Sequence, residues 1–505
     1  MIKDLLKIAL LHMDVEYANP EKNLDNLVGL CRRAASRGAK IICAPEMCLS
    51  GYVHKTIGSI WDLAESSSGR AAEAISQTAL ETETFIVAGW AEKAAQRSVL
   101  YNSAFVFAPN GTLVCRYRKV NAETRWAAPG HASQYNIFMT PWGAVGLLIC
   151  ADSYHSLIPR ITALKGASLI CLPSNWPDSD GFPELLWQQR AWENGIWLAA
   201  VNRSGRENEI DFSSARTMAF DPDGSLVPLW SDPEDERVKI LDISLNSKGL
   251  FDDRRNQRLE SRQPEFYHRV YGNLAAVRDL TSCLNLPQPG WLDFHALSPG
   301  QNDCLDFLTA NFSNFRAGSL VLIPLGSYGT DNLERLSQMA HSSKLTIVGA
   351  DLAGGETQYF ALGPNVKAVP TNLGQSLAAD TGPARVLLTS LKAMSHPEAA
   401  LAAAKEGVDL VLCPAQILDE SDLRLIALRP IEQLAAAACS LNCSTVSLIP
   451  LGHGQGRGAT VGAGQVLTYV VDTRQTRDKR FQDRVDFETL FGPRANKLVW
   501  SNDDL

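Results

Sequence analysis

The feature that most constrains this chain is an alternation of short apolar runs with amphipathic stretches, carried through the first half and begun again in the second. LKIALLHMDV, KIICAPEM, TFIVAGWAE, GAVGLLIC and SLICLPSN are apolar runs bounded by turn residues, the pattern of buried strands. Between them, NLDNLVGLCRRAASRG and AAEAISQTALETE place apolar residues at i, i+3 and i+4, as helices lying on a sheet require. The alternation predicts an α/β layered fold with helices covering sheet faces. YNSAFVFAP and GTLVCRYRKV meet at Pro109-Asn110-Gly111, a hairpin signal. The sheets are therefore expected to be mixed rather than purely parallel.

At 505 residues the chain is too long for one core, and two or three domains are expected. The polar, Arg-rich stretch 247–268 and the turn PQPG at 287–290 suggest a division into residues 1–270, a linker at 271–300 and a second domain at 301–505. The Arg254, Arg255, Arg258 and Arg262 cluster reads as part of a surface tail. A net charge of −8 gives no general attraction to nucleic acid or anionic membranes. No apolar run approaches the roughly 18 residues of a membrane span, and MIKDLLKIALLHMDV reads as a first strand rather than a signal peptide. The 11 cysteines include no CxxC pair and no Cys/His set at zinc-ligand spacing, so no metal site is expected. Free thiols in this number point to the reducing cytoplasm.

Three positions carry chemistry. In IICAPEMCLSGY, Glu46 follows a buried run and precedes a turn; partial burial of such a carboxylate suits it to proton transfer. In VCRYRKVNAETRWAAPG, Lys119 ends a strand, where a fixed ammonium can stabilise an oxyanion. In GAVGLLICADSYHSLIPRITALKGA, Cys150 lies where a buried strand meets a helix, a place that exposes a nucleophile and favours a thiolate. Taken singly, each has an ordinary reading: a water-facing Glu, an edge-strand Lys, a small buried Cys. Taken together they supply a thiol, a base for its proton and a cation for the oxyanion.

These segments resemble the motifs of the nitrilase superfamily of carbon–nitrogen hydrolases, from about residue 6 to 270. APEMCLSGY is similar to the family's glutamate motif, YRKV to its lysine motif and ICADSYHSLIPRITALKGA to its nucleophile motif. RAWENGIWLAAVNRSG, DPDGSLV and RQPEFY follow in the family's order. The resemblance implies Glu46 as general base, Lys119 as oxyanion stabiliser and Cys150 as nucleophile. It implies Glu123 as a second active-site glutamate, and Glu193 either as a structural residue or as one that orients the lysine from behind. Arg125, Trp126, Asn175 and Trp176 are candidate pocket residues, with Arg125 suited to a substrate carboxylate. It further implies a four-layer α-β-β-α sandwich and chemistry that needs neither metal nor organic cofactor. The chain departs from the family where only Val120, Asn121 and Ala122 separate Lys119 from Glu123. It departs again at His155-Ser156-Leu157, where Phe-Pro-Glu is usual.

The second half reads as a degenerate copy. VDLVLCPA resembles ASLICLPS, and SLVLIPLG resembles AKIICAPEM with Leu325 in the glutamate's place. The nucleophile's offset lands on Leu391, and Lys367 is the one candidate for the lysine. The family's habit of pairing then implies a tandem pseudo-dimer within one chain, with further self-association open. Ala151-Asp152 after the nucleophile resembles the amidase and carbamoylase branches. The expected activity is hydrolysis of a small amide or ureido (N-carbamoyl) substrate, with no nucleic acid or membrane partner. A nitrile hydrolase and an ammonia-supplying glutaminase remain as alternatives. A non-enzymatic scaffold suits the second half.

Overall fold

The computed structural model describes residues 5–94, 98–177, 182–233, 235–252, 254–272, 274, 277, 279–448, 458–477 and 490. They fall into two compact units, one reaching Ser261 and the other beginning at Arg262.

The first unit holds two main sheets. Its strands are β1 (Leu5–Leu11), β2 (Ile41–Cys43), β3 (Phe85–Lys93), β4 (Leu100–Phe107), β5 (Leu113–Arg118), β6 (Ile137–Thr140), β7 (Gly143–Leu147), β8 (Leu169–Pro173) and β9 (Trp197–Val201). A small hairpin, β10 (Arg206–Glu207) and β11 (Ile210–Asp211), is followed by β12 (Met218–Phe220), β13 (Leu226–Val227), β14 (Trp230–Asp232) and β15 (Asp235–Ser244). One sheet runs β14-β15-β1-β2-β3-β4-β5 and the other β13-β12-β9-β8-β7-β6. Both are mixed: β1, β2 and β3 are parallel while β4 and β5 turn back. The turn between those last two strands is the Pro109-Asn110-Gly111 hairpin, with Gly111 at φ +79°.

Helices α1 (Pro20–Ser36) and α2 (Arg70–Thr82) cover the first sheet. Leu24, Leu27, Leu30 and Ile75 join Ala9, Leu11, Ile42 and Ala88 in one buried cluster. The α1 start was written in the sequence: Asn19 caps it, accepting from the Lys22 N–H at 3.3 Å, and Pro20 opens the first turn. Helices α3 (Leu157–Leu164) and α4 (Phe182–Asn194) lie on the second sheet, and the two sheets pack through β1 on β9 and β3 on β8. The unit is an α-β-β-α sandwich.

The second unit contains β16 (Trp291–Ser298), β17 (Leu320–Gly326), β18 (Thr346–Ala353), β19 (Glu356–Leu362), β20 (Val366–Val369), β21 (Leu377–Thr381) and β22 (Ala384–Leu388). It continues with β23 (Leu410–Pro414), β24 (Ala435–Cys439), β25 (Cys443–Ser447), β26 (Gly458–Gly462) and β27 (Gln465–Asp472). Its sheets run β19-β18-β17-β16-β27 and β20-β21-β22-β23-β24-β25-β26. The order β15-β1-β2-β3-β4 thus recurs as β27-β16-β17-β18-β19. Likewise β13-β12-β9-β8-β7-β6 recurs as β26-β25-β24-β23-β22-β21, and each parallel or antiparallel pairing is the same. Alternate residues of β17 face opposite ways: Leu320 and Leu322 join the cluster between sheets, Val321 and Ile323 the one beneath the helices.

Two sequence expectations need correction. The stretch 271–300 is not a bare linker, because β16 lies within it and is an inner strand of the second unit. Of the arginine cluster expected in a surface tail, Arg254 is exposed, but Arg255 donates to the Gly166 carbonyl, Arg258 lies 4.4 Å over the Trp192 ring, and the Arg262 side chain is buried and pairs with Glu398 at 2.7 Å. Charged residues at that density look solvated in sequence, whereas their stems and forks serve as packing material. Of the expected second domain, 449–457, 478–489 and 491–505 lie outside the described residues, as do residues 1–4 of the expected first strand.

Candidate active site

Glu46 follows β2 by three residues. The chain there turns against β3, where the Cys48 N–H donates to the Gly89 carbonyl at 2.9 Å. Glu46 is buried, and its Oε1 accepts two hydrogen bonds, from Lys119 Nζ at 2.7 Å and from Asn102 Nδ2 at 2.7 Å. Its Oε2 is buried with no hydrogen-bond partner among the described residues. Lys119 follows β5, held by its own N–H to the Asn102 carbonyl at 2.8 Å and by the Gly130 N–H to its carbonyl at 2.8 Å. Its ammonium stands 5.9 Å from the centre of the Tyr52 ring.

Cys150 opens a short 3₁₀ turn, Cys150–Ser153, just past β7. Its φ of +44° lies in the left-handed region, which costs a residue with a Cβ roughly 1–2 kcal/mol. Several contacts hold the turn. Ser153 Oγ donates to the Cys150 carbonyl at 2.7 Å, and Trp187 Nε1 donates to Ser153 Oγ at 3.3 Å. Arg190 donates from Nε to the Ser153 carbonyl at 2.8 Å and from Nη2 to the Tyr154 carbonyl at 3.0 Å. Asp152 accepts from the Asn121 N–H at 2.7 Å and the Tyr117 hydroxyl at 2.8 Å, which ties the nucleophile turn to the lysine strand.

The electrostatics follow from burial. Burial, then the facing Glu46 carboxylate, pushes the Cys150 thiol up to about 12, against the pull of Lys119 and the Asn175 N–H. Burial also works against the Lys119 charge, but Glu46 and Cys150 outweigh it and hold the ammonium well above its ordinary value. Burial raises Asp152 to about 6. The thiol therefore rests protonated, beside a carboxylate with one oxygen pinned and one open.

Around this centre the expected residues separate. Asn175 is buried, donates from Nδ2 to the Glu46 carbonyl at 2.8 Å, and turns its own N–H toward the thiol. Glu123 is paired with Arg125 at 2.9 Å, and that hydrogen bond lowers its pKa, with Lys119 adding a smaller push. The Arg125 side chain is about half exposed. Trp126 belongs instead to an apolar cluster with Met47, Ile60 and Leu100, so it is core rather than an open pocket wall. Trp176 is buried edge-on to Trp187, ring centres 5.9 Å apart. Glu193 is paired with Arg190 at 2.5 Å and so supports the nucleophile turn through that arginine. Asn102 and Arg190 were not anticipated. Asn102 had a faint signal, a lone amide inside the apolar run LYNSAFVF.

In the second unit, Leu391 stands three residues past β22 and 19 before β23, the same offsets that separate Cys150 from β7 and β8. Leu325 shares the register of Glu46: Leu322 pairs with Val348 as Cys43 pairs with Val87. Lys367 lies exposed on β20, which pairs in the other sheet, so it occupies no position equivalent to Lys119. No group of three or more metal-ligating side chains occurs among the described residues.

The comparisons with known proteins bear on the first unit. Residues 7–250 match the carbon–nitrogen hydrolase family, so the first unit carries a carbon–nitrogen hydrolase domain. Over 270 residues the chain is 29% identical to a nitrilase of Pyrococcus abyssi, covering 52% of this chain and all of that protein. Over 254 residues it is 29% identical to an omega-amidase of Bos taurus, covering 47% of this chain and 88% of that one. Among solved structures, a carbon–nitrogen hydrolase of Helicobacter pylori aligns with 21% identity and a TM-score of 0.46, over 53% of this chain and 99% of that one.

Proposed function

We propose that the first unit hydrolyses a non-peptide C–N bond of a small amide or N-carbamoyl compound through a thioester on Cys150. The observation that carries the reading is the buried carboxylate of Glu46, pinned at Oε1 by Lys119 and open at Oε2; burial and that carboxylate keep the Cys150 thiol protonated. Glu46 takes the Cys150 proton as sulfur bonds to the amide carbon. The oxyanion faces the Lys119 ammonium and the Ala151 N–H. As the C–N bond breaks, Glu46 gives the proton to the leaving nitrogen. Glu46 then takes a proton from water, whose oxygen attacks the thioester; the C–S bond breaks and the thiol recovers the proton.

The omega-amidases among the relatives favour an amide, and the half-exposed Arg125 suits a substrate with a carboxylate. The nitrilase of Pyrococcus abyssi keeps nitriles in view. The second unit, with leucines at both corresponding positions, is read as a catalytically silent copy of the sandwich. Ammonia release from small amides, N-carbamoyl amino acids, glutamine and simple nitriles, with Cys150→Ala as control, tests the proposal. Release abolished in the control is expected; release that survives it would remove Cys150 from the mechanism.

A further inference from the structure

We propose that Asn102 is a positioning residue that divides the work between the two oxygens of Glu46, locking Oε1 so that Oε2 alone carries the travelling proton. The assignment rests on the proposed roles of Glu46 and Cys150 and adds a residue to them.

Both donors near the carboxylate reach the same atom. Lys119 Nζ and Asn102 Nδ2 each lie 2.7 Å from Oε1, while Oε2 is buried with no hydrogen-bond partner among the described residues. A carboxylate oxygen has room for two donors in its plane. With Oε1 saturated by an ammonium and an amide, a proton arriving from the thiol goes to Oε2. The Asn102 side chain is itself buried, and its Oδ1 has no hydrogen-bond partner among the described residues. A buried amide that leaves its own oxygen unmet and spends its nitrogen on one carboxylate oxygen is not explained by local packing.

The backbone adds a second link. The Asn102 carbonyl accepts the Lys119 N–H at 2.8 Å. One residue of β4 therefore holds Lys119 through its backbone and Glu46 through its side chain, and fixes the base against the cation. The next residue gives a control on the same strand: Ser103 is equally buried, but its hydroxyl donates to Glu92 at 2.7 Å, away from the site.

The test needs no substrate. Iodoacetamide alkylates Cys150 by forming an S–C bond as iodide leaves, and the thiol proton passes to Glu46. The rate at Cys150 is followed by peptide mass spectrometry of the full chain between pH 5 and 9. Removing a donor from the charged form of Glu46 favours its protonation. Asn102→Ala is therefore expected to slow alkylation about 10-fold or more and to move the acidic limb of the profile toward neutral pH. Asn102→Asp, equal in size, moves the limb further by placing a second carboxyl beside Glu46. Ser103→Ala leaves the limb in place whatever it does to stability. A wild-type limb in Asn102→Asp, or in folded Asn102→Ala, would overturn the assignment. A profile that Glu46→Gln leaves unchanged would overturn the underlying role of Glu46, and this assignment with it. Ammonia release reports separately on the hydrolase reading.

Discussion

Asp152 shows how a single buried carboxyl shapes this protein. It accepts hydrogen bonds from Tyr117 and Asn121, yet burial still lifts it to about 6. A raised folded-state value means the folded protein binds the proton more tightly than the unfolded chain does. Stability is then greatest below the ordinary carboxylate range and falls as pH rises through about 6. The fall amounts to about 3 kcal/mol for a shift of this size. Asp152→Asn keeps the Asn121 contact on its oxygen, and the Tyr117 hydroxyl turns to accept from its nitrogen. Thermal denaturation from pH 4 to 7 is expected to show the wild type losing stability across that window while the variant stays flat. Equal slopes would dismiss Asp152 as the cause.

At the level of elements, the site depends on where strands stop. β2, β5 and β7 each end just before a residue of the constellation, and this much was legible from apolar runs and turn residues. Legibility failed where the partner lies across the sheet. Asn102 meets Glu46 only because the β3–β4 hairpin folds back beside β2 and β5, and no local pattern encodes that. Trp126, a candidate pocket residue, is buried with Met47 and Leu100, a packing that its neighbours in the sequence do not signal. Glu193 was expected to orient the lysine, yet it pairs with Arg190, one turn away on the same helix, a contact that an i, i+3 spacing allows but does not announce. Gly130 gives the element-scale prediction. A Cβ there would fall 2.1 Å from the Arg118 carbonyl oxygen, so the end of β5 must shift. Gly130→Ala is expected to lose about 1–3 kcal/mol of stability and about 100-fold in ammonia release, since displacements near 1 Å at reacting groups cost that much. A variant with a lower Tm but unchanged release would show that Lys119 tolerates the shift.

For the whole molecule, every residue of the candidate site comes from the first unit. The second unit has its own buried charge: Arg477 forks onto Asp409 at 2.6 and 2.7 Å. Arg477→Ala strands that carboxylate and is expected to cost about 3–5 kcal/mol, read by denaturant unfolding. Ammonia release per folded molecule at 25 °C is expected to stay within twofold. A larger change would give the second unit a part in catalysis.

The two units also differ at one backbone angle. Cys150 sits at φ +44°, while Leu391, at the same offsets from its flanking strands, is not among the described residues with positive φ; it starts an ordinary helical turn capped by Ser390, whose hydroxyl accepts from the Ala393 N–H at 3.1 Å. One polypeptide thus carries a contorted corner and its relaxed twin. The sandwich can be closed without the contortion, so the contortion is no requirement of the architecture. The left-handed turn at Cys150 thus belongs to the candidate site and not to the strand order that the two units share.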